Sequence, residues 1–467
     1  MPKPNIIWIY CDELRTDALG CYGNPNAELE TPNIDWIAWA GTRFANSFCN
    51  SPVCVPSRTS TMTGLYPEDT GVYHNEAFWP NFALDRPFLT FPEVLASHGY
   101  ATADFGKLHI PRQLVPWQHR NAEGGGMRVF YDGVDRDALQ IIQLPGVPTQ
   151  IGGTYPGDRP YPPEKLTQNA LEWLQTAQTP YLLRLSYLQP HTPVFPCPPY
   201  DTLYQGAALP NALRERGSPS AFERQFAAVQ RADEMQPEQV YLAQVYYYGL
   251  VSWLDDQVGQ VLDLLRASGQ IENTILVFGA DHGASLGENG CYAKHTFAPR
   301  VHRVPLLIAW PGTLPDGQVR EDINEGLDLP RTLFGLCGID APAQFRGRDL
   351  FASQPPEAVY ATIGYGYPHS RAFPNLATGE YVDGRGWPRR ACVRTAAYRL
   401  DKNVRIDGHP ALGAEEDAFL ADVRTDPEET VNLADDPAHQ GTVQRLSAML
   451  DEHIAGSIEP PAEYVQR

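Results

Sequence analysis

The sequence of 467 residues lacks both a long hydrophobic run and an excess of positive charge. The apolar run near the N-terminus, residues 6–10, is shorter than the core of a signal peptide and far shorter than a membrane-spanning helix. We therefore expect a cytoplasmic protein with no membrane segment. The net charge of −20 argues against nucleic acid or an anionic membrane surface as a main partner. A local basic pocket could still bind one small anion.

Cysteine is sparse and scattered, and the chain has no internal repeat or low-complexity block. The cysteines include no Cys-x-x-Cys pair, so we predict reduced thiols rather than a disulfide framework. The 43 prolines and 39 glycines indicate many ordered loops. The length predicts one large and one small domain. The cysteines are Cys11, Cys21, Cys49, Cys54, Cys197, Cys291, Cys337 and Cys392.

Polar side chains follow several predicted strands at the point where each strand ends. The carboxyl ends of strands are where α/β sheets present ligands, so we expect these side chains to face a common site. Alternation along an extended segment also predicts that Lys107 and His109 point to the same side. The polar residues are Asp12 and Glu13 after the strand at 6–10, Lys107 and His109 after 100–105, His191 after 181–187, and Asp281 and His282 after 274–280.

Cys54 stands at the start of a predicted helix. Pro56 suits the first turn of that helix, and Gly64 suits the position just beyond its last turn. The free N–H groups and the dipole at a helix N-terminus favour an anion. A lone cysteine in such a place is usually a small buried apolar side chain, so the helix start alone predicts no function.

The five residues from Cys54 to Arg58 match the C-x-P-S-R signature of the type I sulfatases. The chain resembles that family over nearly its whole length, and the order of the shared elements is more specific than any one of them. The other elements are Asp12-Glu13, Gly106–His109, His191, Asp281–Gly283, Gly287–Lys294, Arg303–Ile308 and Asp426–Ala434.

The resemblance implies that Cys54 is converted to formylglycine by a separate maturation enzyme. It also implies an α/β fold of the alkaline-phosphatase-like sandwich type, with a mostly parallel central sheet flanked by helices. The change to short strand-like runs beyond about residue 355 predicts a smaller C-terminal α+β domain. We therefore predict a catalytic domain over residues 1–355 and the smaller domain over 356–467.

The resemblance assigns roles to the polar residues. Arg58, Lys107 and Lys294 would form a cationic cage around the sulfuryl oxygens, and His191 or Lys294 would give a proton to the leaving oxygen. The predicted catalytic residues are Cys54, Arg58, Lys107, His109, His191 and Lys294. The predicted substrate-binding residues are Asn75, Lys107, His191 and Lys294. The predicted metal-binding residues are Asp12, Glu13, Cys54, Asp281 and His282.

The predicted donors offer mainly hard carboxylate oxygens, so we favour Ca²⁺, with Mg²⁺ as an alternative. The nitrogen of His282 raises the chance of Mn²⁺. Two features depart from the family pattern. Glu13 stands where the family usually has aspartate, and residues 298–302 lack the paired acids that often precede the Arg-Val-Pro strand.

We expect a sulfuric-ester hydrolase that acts on a small aryl or alkyl sulfate. The alternative is a phosphonate monoester or phosphodiester hydrolase of the same superfamily, whose members tend to lack the residues corresponding to Lys107 and His109. A catalytically inactive scaffold is disfavoured, because the chain retains all the motif residues. The sequence leaves open whether the protein forms a homo-oligomer.

Overall fold

The computed structural model describes residues 3–24, 29–78, 84, 87–126, 139–147, 150–156, 160–209, 219–371 and 381–460. The stretch over residues 110–165, which is rich in glycine and proline, lies partly outside these ranges, and its described part contains short strands. None of the helices in the described ranges is long and apolar enough to cross a membrane.

Strands and helices are interspersed along the described part of the chain. In chain order the strands are β1 (Asn5–Asp12), β2 (Gly41–Phe48), β3 (Ala101–Gly106), β4 (His119–Asn121), β5 (Ile142–Gln143), β6 (Gln150–Gly152), β7 (Tyr181–Pro190), β8 (Thr274–Ala280), β9 (Ser285–Leu286), β10 (Tyr292–Ala293), β11 (Arg303–Val304), β12 (Leu306–Ala309), β13 (Gln318–Glu325), β14 (Val359–Ile363), β15 (Arg389–Arg394), β16 (Tyr398–Ile406), β17 (His409–Pro410) and β18 (Phe419–Asp422). The helices are α1 (Pro32–Trp39), α2 (Cys54–Thr63), α3 (Pro67–Thr70), α4 (Phe91–Ser97), α5 (Glu164–Leu174), α6 (Ala221–Gln230), α7 (Pro237–Ala267), α8 (Pro299–His302), α9 (Asp328–Leu336) and α10 (Gln440–Ile454).

The large sheet is mostly parallel. From β4 the order runs β4-β3-β7-β1-β8-β12-β2, with β13 paired to β2 and β11 paired to the far end of β2. The strands β1, β3, β4, β7 and β8 pair in parallel, whereas β12 runs antiparallel to both β8 and β2. The predicted α/β class, with a mostly parallel central sheet, is confirmed.

Strand β1 lies in the middle of the sheet, and its side chains alternate between two apolar layers. Ile7 and Ile9 pack into the layer that holds α1, α5 and α7. Trp8 and Tyr10 face the opposite layer, which holds α2, α4 and α9. All eight residues of β1 are buried. Such two-sided burial explains why the strand reads as a continuous apolar run in the sequence.

Two residues shape the part of the sheet around β12. The apolar run from Arg303 to Trp310 forms two strands, because Pro305 lacks the N–H that a continuous ladder needs. Gly41 follows α1 and begins β2. A Cβ at Gly41 would lie 2.4 Å from the carbonyl oxygen of Ile308, so the close pairing of β2 with β12 requires glycine here.

A second sheet follows the large one in sequence. Its strands are antiparallel, in the order β14-β15-β16-β17 with β18 paired to β16, and α10 packs against it. The predicted short strands and the predicted helix near the C-terminus are therefore present. The division into domains at residues 355 and 356 stays a prediction.

Buried ion pairs stabilise the second sheet. The carboxylate of Glu429 binds Arg394 at 2.5 Å and Arg399 at 2.8 Å, and the side chains of all three residues are at most 4% exposed. Removing one partner of such a group leaves the others charged and without compensation in the interior, which is strongly destabilising. The neighbouring Glu428, which binds Arg300, is 49% exposed.

We expect Glu429→Ala to lower the free energy of unfolding by about 3–5 kcal/mol, because it takes the carboxylate from the buried guanidinium of Arg394 and one carboxylate from Arg399, which still binds Asp401. Glu428→Ala, the matched control one position earlier, should cost less than about 1 kcal/mol, as is usual for an exposed ion pair. Urea denaturation followed by tryptophan fluorescence measures both. Equal effects of the two substitutions would show that the buried group contributes no special stability.

Candidate active site

The carboxyl ends of the central strands bring most of the predicted polar residues together. Asp12 ends β1, Asp281 directly follows β8, and Lys107 directly follows β3. These strands are neighbours or near neighbours in a parallel arrangement, so their ends lie at the same edge of the sheet. The structure therefore brings together the residues that the sequence placed at strand ends, as expected for an α/β sheet.

Cys54 lies at the start of α2 and is fully buried. Gly64 ends the helix in the left-handed conformation, with φ of 64°, as the sequence predicted. Within the helix, the hydroxyl of Ser57 donates to the carbonyl oxygen of Asp281 at 2.6 Å. This bond fastens the first turn of α2 to the end of β8, so that Cys54 faces the edge of the sheet.

Asp12, Cys54, Asp281 and His282 form a compact group of potential metal donors, with ligand atoms all within 4.8 Å of one another. Cys54 Sγ lies 3.6 Å from Asp12 Oδ1 and 3.2 Å from His282 Nε2. His282 Nε2 lies 3.6 Å from Asp281 Oδ1. All four residues are buried. Four of the five predicted metal-binding residues thus converge on one point.

The orientation of His282 suits a metal ligand. Its Nδ1 donates to the carbonyl oxygen of Gly283 at 2.8 Å, which directs Nε2 toward the group of donors. Burial lowers the pKa of His282, but the negative charges of Asp281 and Cys54 raise it to about 9. The same negative charge would hold a metal cation in place of the proton on Nε2. Two carboxylates, one imidazole and position 54 therefore fit a divalent metal.

The guanidinium of Arg58 lies beneath this group and is fully buried. It binds Asp12 Oδ2 at 2.9 Å and Asp281 Oδ2 at 2.6 Å. It also donates to the carbonyl oxygen of Lys107 at 3.0 Å and to the hydroxyl of Ser186 at 2.9 Å. Arg58 thus fixes the outer oxygens of both carboxylates and leaves Oδ1 of each to face the predicted metal position.

Lys107 and Lys294 also approach the sulfur of Cys54. Their Nζ atoms lie 3.8 Å and 3.1 Å from Sγ, and Lys107 also binds Asp12 at 2.5 Å. Burial by itself raises the pKa of the Cys54 thiol, but Lys107, Lys294 and His282 lower it well below its usual value. The side chains of Lys107, Lys294 and His191 are 11%, 7% and 14% exposed, so they line the side that solvent can reach.

His109 also contacts Cys54, but not in the way that the sequence predicted. Its φ of 49° shows that the segment from Lys107 is not extended, so the predicted alternation does not apply. The side chain still reaches Cys54 through a hydrogen bond. Burial and the charge of Lys107 lower the pKa of His109 to about 4, so its imidazole is neutral at pH 7.

Two predicted site residues lie differently from the rest. The carboxylate of Glu13 faces Lys294 and Thr192, not the group formed by the other four predicted metal ligands. The Asn75 side chain, predicted to bind substrate, accepts a hydrogen bond from the N–H of Val55 at 2.9 Å. That bond satisfies a free N–H group in the first turn of α2 and holds the helix start in place.

The model of the family described as Sulfatase matches residues 4–339. The chain belongs to the sulfatase family. It is 28% identical to the ulvan-active sulfatase of Formosa agariphila, over 97% of this chain and 81% of the relative. It is also 28% identical to the choline-sulfatase of Rhizobium meliloti, over 97% of this chain and 86% of the relative. The prediction of a sulfatase is confirmed.

The fold of this sulfatase is similar to solved structures of the alkaline-phosphatase-like superfamily. The phosphonate monoester hydrolase of Silicibacter pomeroyi superposes with a TM-score of 0.76 at 21% identity, over 98% of this chain and 96% of that chain. At this identity the likeness shows the fold alone. The predicted alkaline-phosphatase-like architecture is confirmed.

Sequence reasoning missed several residues that support the site of this sulfatase. Tyr247 of α7 donates its hydroxyl to the carbonyl oxygen of Glu13 at 2.6 Å. Arg184 binds Asp104 at 2.7 Å across neighbouring strands and donates to the carbonyl oxygen of Lys107 at 3.0 Å. No local sequence pattern indicated either contact, because each partner comes from a distant part of the chain.

The segment 298–302, which departs from the family pattern, uses its charge in ion pairs. Arg300 binds Asp17 at 3.1 Å and Glu428 at 2.6 Å, and it lies 3.7 Å from Glu288. The guanidinium is 28% exposed. Arg300 therefore links Asp17, which follows β1, to Glu428 near the C-terminus, and it shares Asp17 and Glu288 with Arg15.

We expect Asp281→Ala to abolish binding of a divalent metal and sulfatase activity together, because it removes a charged oxygen from a group with few donors. Metal content is measured by inductively coupled plasma mass spectrometry on purified protein. Asp255→Asn is a matched control, since Asp255 is also buried but caps α1 through the N–H of Ile34 at 2.8 Å. Normal metal content in Asp281→Ala would place the metal elsewhere.

Proposed function

We propose that this sulfatase hydrolyses a small aryl or alkyl sulfate ester, with Cys54 converted to formylglycine as the nucleophile. The observation that carries the proposal is the place of Cys54 Sγ. It contacts Asp12 and His282 of the donor group and also the cations Lys107 and Lys294. A nucleophile at this point has both a cation-binding group and charged donors for a sulfate within reach.

Formylglycine explains why a cysteine occupies this position. Its hydrate carries two hydroxyl groups on Cβ, near the place that Sγ marks in the structure. One hydroxyl oxygen attacks sulfur and the ester S–O bond breaks, which leaves a sulfate ester on residue 54. Loss of the proton from the second hydroxyl then breaks the C–O bond, releases sulfate and regenerates the aldehyde. A serine would be left as a stable ester.

The residues on the exposed side bind the sulfate and assist the leaving group. Lys107 and Lys294 stabilise charge on the sulfuryl oxygens, as fixed positive groups do in a site sheltered from water. His191 donates through Nδ1 to the carbonyl oxygen of Thr192, so its Nε2 accepts from Lys294 Nζ at 2.8 Å. Lys294 and His191 together thus hold a proton close to position 54, where the leaving oxygen departs.

His109 serves the release of sulfate. It is hydrogen-bonded to position 54 and half-buried, so it can accept the proton of the second hydroxyl. Asp12, Asp281, His282 and position 54 would hold the metal, for which we propose Ca²⁺, with Mn²⁺ or Mg²⁺ as alternatives. When bound, the metal supplies positive charge that polarises a sulfate oxygen and favours the ionised hydroxyl.

Sulfate is favoured over phosphonate for two reasons. The relatives at 28% identity are sulfatases, whereas the phosphonate hydrolase is similar in fold alone. Choline sulfate, the substrate in the name of one relative, is a small alkyl ester, and that relative matches nearly the whole chain. Both Lys107 and His109 also reach position 54.

The cytoplasmic location stays a prediction.

Conversion of Cys54 is tested by mass. After co-expression with a formylglycine-generating enzyme, the peptide that contains residue 54 should be about 18 Da lighter than its cysteine form, because an aldehyde oxygen replaces the thiol in this oxidation. Cys54→Ala should give no such shift and no activity. Equal turnover by unconverted and converted protein would refute formylglycine as the nucleophile.

The choice between sulfate and phosphonate is tested at Lys107. We expect Lys107→Ala to lower kcat/KM for an aryl sulfate by about 10²-fold, the scale for loss of one preorganised donor. The loss for a phosphonate monoester should be smaller, since specialised hydrolases of that class tend to lack this lysine. Lys165→Ala, an exposed lysine of α5, is the control. Equal losses for the two substrates, or a wild-type preference for the phosphonate, would favour the alternative function.

A further inference from the structure

We propose that Glu13 positions Lys294 and His191 for proton transfer and is not a metal ligand. The proposal rests on the function above and assigns a role to the residue that departs from the family's paired aspartates. The Glu13 carboxylate contacts a different set of groups from the carboxylates of Asp12 and Asp281.

The backbone of Glu13 is in an unusual conformation, and its N–H rather than its carboxylate contacts Asp281. Its φ is 61°, in the left-handed region that side-chain-bearing residues seldom adopt. Its N–H donates to Asp281 Oδ1 at 3.3 Å, and its carbonyl oxygen accepts from the hydroxyl of Tyr247 at 2.6 Å. Glu13 therefore presents its N–H to Asp281, and its carboxylate projects elsewhere.

Both carboxylate oxygens of Glu13 are engaged. Oε2 accepts from the N–H of Thr192 at 3.1 Å and from its hydroxyl at 3.2 Å. Oε1 accepts from Lys294 Nζ at 2.6 Å and lies 3.3 Å from His191 Nε2. The side chain is fully buried. Such a set of hydrogen bonds fixes the carboxylate against the loop after β7 and against Lys294.

The ammonium group of Lys294 lies at the place where Glu13 could help to bind a metal cation. Glu13 joins Asp12 and His191 in a second group of potential donors. Lys294 Nζ lies 2.6 Å from Glu13, 2.8 Å from His191 and 3.1 Å from Cys54 Sγ. The charge of Glu13 is thus balanced by Lys294, and the ammonium is held against position 54.

The length of the side chain matters for this role. An aspartate is one methylene shorter, about 1.5 Å, so it could not keep contact with both Thr192 and Lys294 from the same backbone position. Glutamate at position 13 therefore holds the proton-donating pair. The metal would retain Asp12 and Asp281 as its carboxylates.

The test compares Glu13→Gln with wild type in two measurements. Glutamine keeps the length and an acceptor for Thr192 but loses the charge that holds Lys294. We expect unchanged metal content, measured by plasma mass spectrometry. We also expect kcat for an alkyl sulfate to fall by about 10²-fold, the scale of general acid catalysis, and kcat for nitrophenyl sulfate to fall much less. An alkoxide must be protonated as it leaves, whereas nitrophenolate need not be.

Two further variants complete the experiment. Glu234→Gln, in an exposed ion pair with Arg231, should behave as wild type. Glu13→Asp restores the family's usual residue, and it should keep the metal yet show the same selective loss on the alkyl sulfate. Recovery of wild-type rates in Glu13→Asp, with metal lost from Glu13→Gln, would make Glu13 a ligand and overturn the proposal.

The remaining outcomes are also decisive. Equal loss on both esters in Glu13→Gln, with metal retained, would show that Glu13 does not act on the leaving group. A wild-type protein that binds no metal and cleaves neither ester would refute the proposed function itself, before any variant is compared. The metal measurement on wild type therefore separates failure of the function from failure of the role of Glu13.

Discussion

The site depends on compensation of buried charge by Arg58. Asp12 and Asp281 are fully buried, and the guanidinium binds the outer oxygen of each. Without it, two neighbouring carboxylates would repel each other in a medium that solvates charge poorly. Because Arg58 belongs to the same helix as Cys54, the residue that balances the acids also fixes the nucleophile relative to them. One helix turn therefore sets both the electrostatics and the geometry.

Position 54 lies among buried groups of both charges. The acids at the ends of β1 and β8 and the two lysines all approach it, and Lys107 binds Asp12 directly. A nucleophile that must be ionised and a substrate that is an anion both need nearby positive charge. Glu13 binds Lys294 and so offsets part of the positive charge near position 54. The Nζ atom of Lys294 remains 3.1 Å from Cys54 Sγ. In this arrangement Asp12 and Asp281 serve cation binding, whereas Glu13 serves proton transfer.

The C-terminal box shared with the sulfatases has a structural role here. Asp426 accepts hydrogen bonds from the N–H groups of Thr430 and Val431, at 2.7 Å and 2.9 Å, and so shapes the turn that follows β18. Glu429, in the same turn, binds the buried arginines Arg394 and Arg399. The box therefore stabilises the second sheet. A motif that identifies a family need not contain a residue that touches the substrate.

The sequence by itself determined the buried strands, the helix that begins at Cys54 and the meeting of polar residues at strand ends. These features follow from local patterns: apolar runs, a proline and glycine at the helix ends, and the shared edge of parallel strands. Only the tertiary structure decided the direction of Glu13, whose partner Lys294 lies 281 positions away in the chain. It also decided that Asn75 holds Val55. A side chain's partner across such distances depends on how the whole chain packs, and it was this packing that brought the Glu13 carboxylate to Lys294 and Thr192.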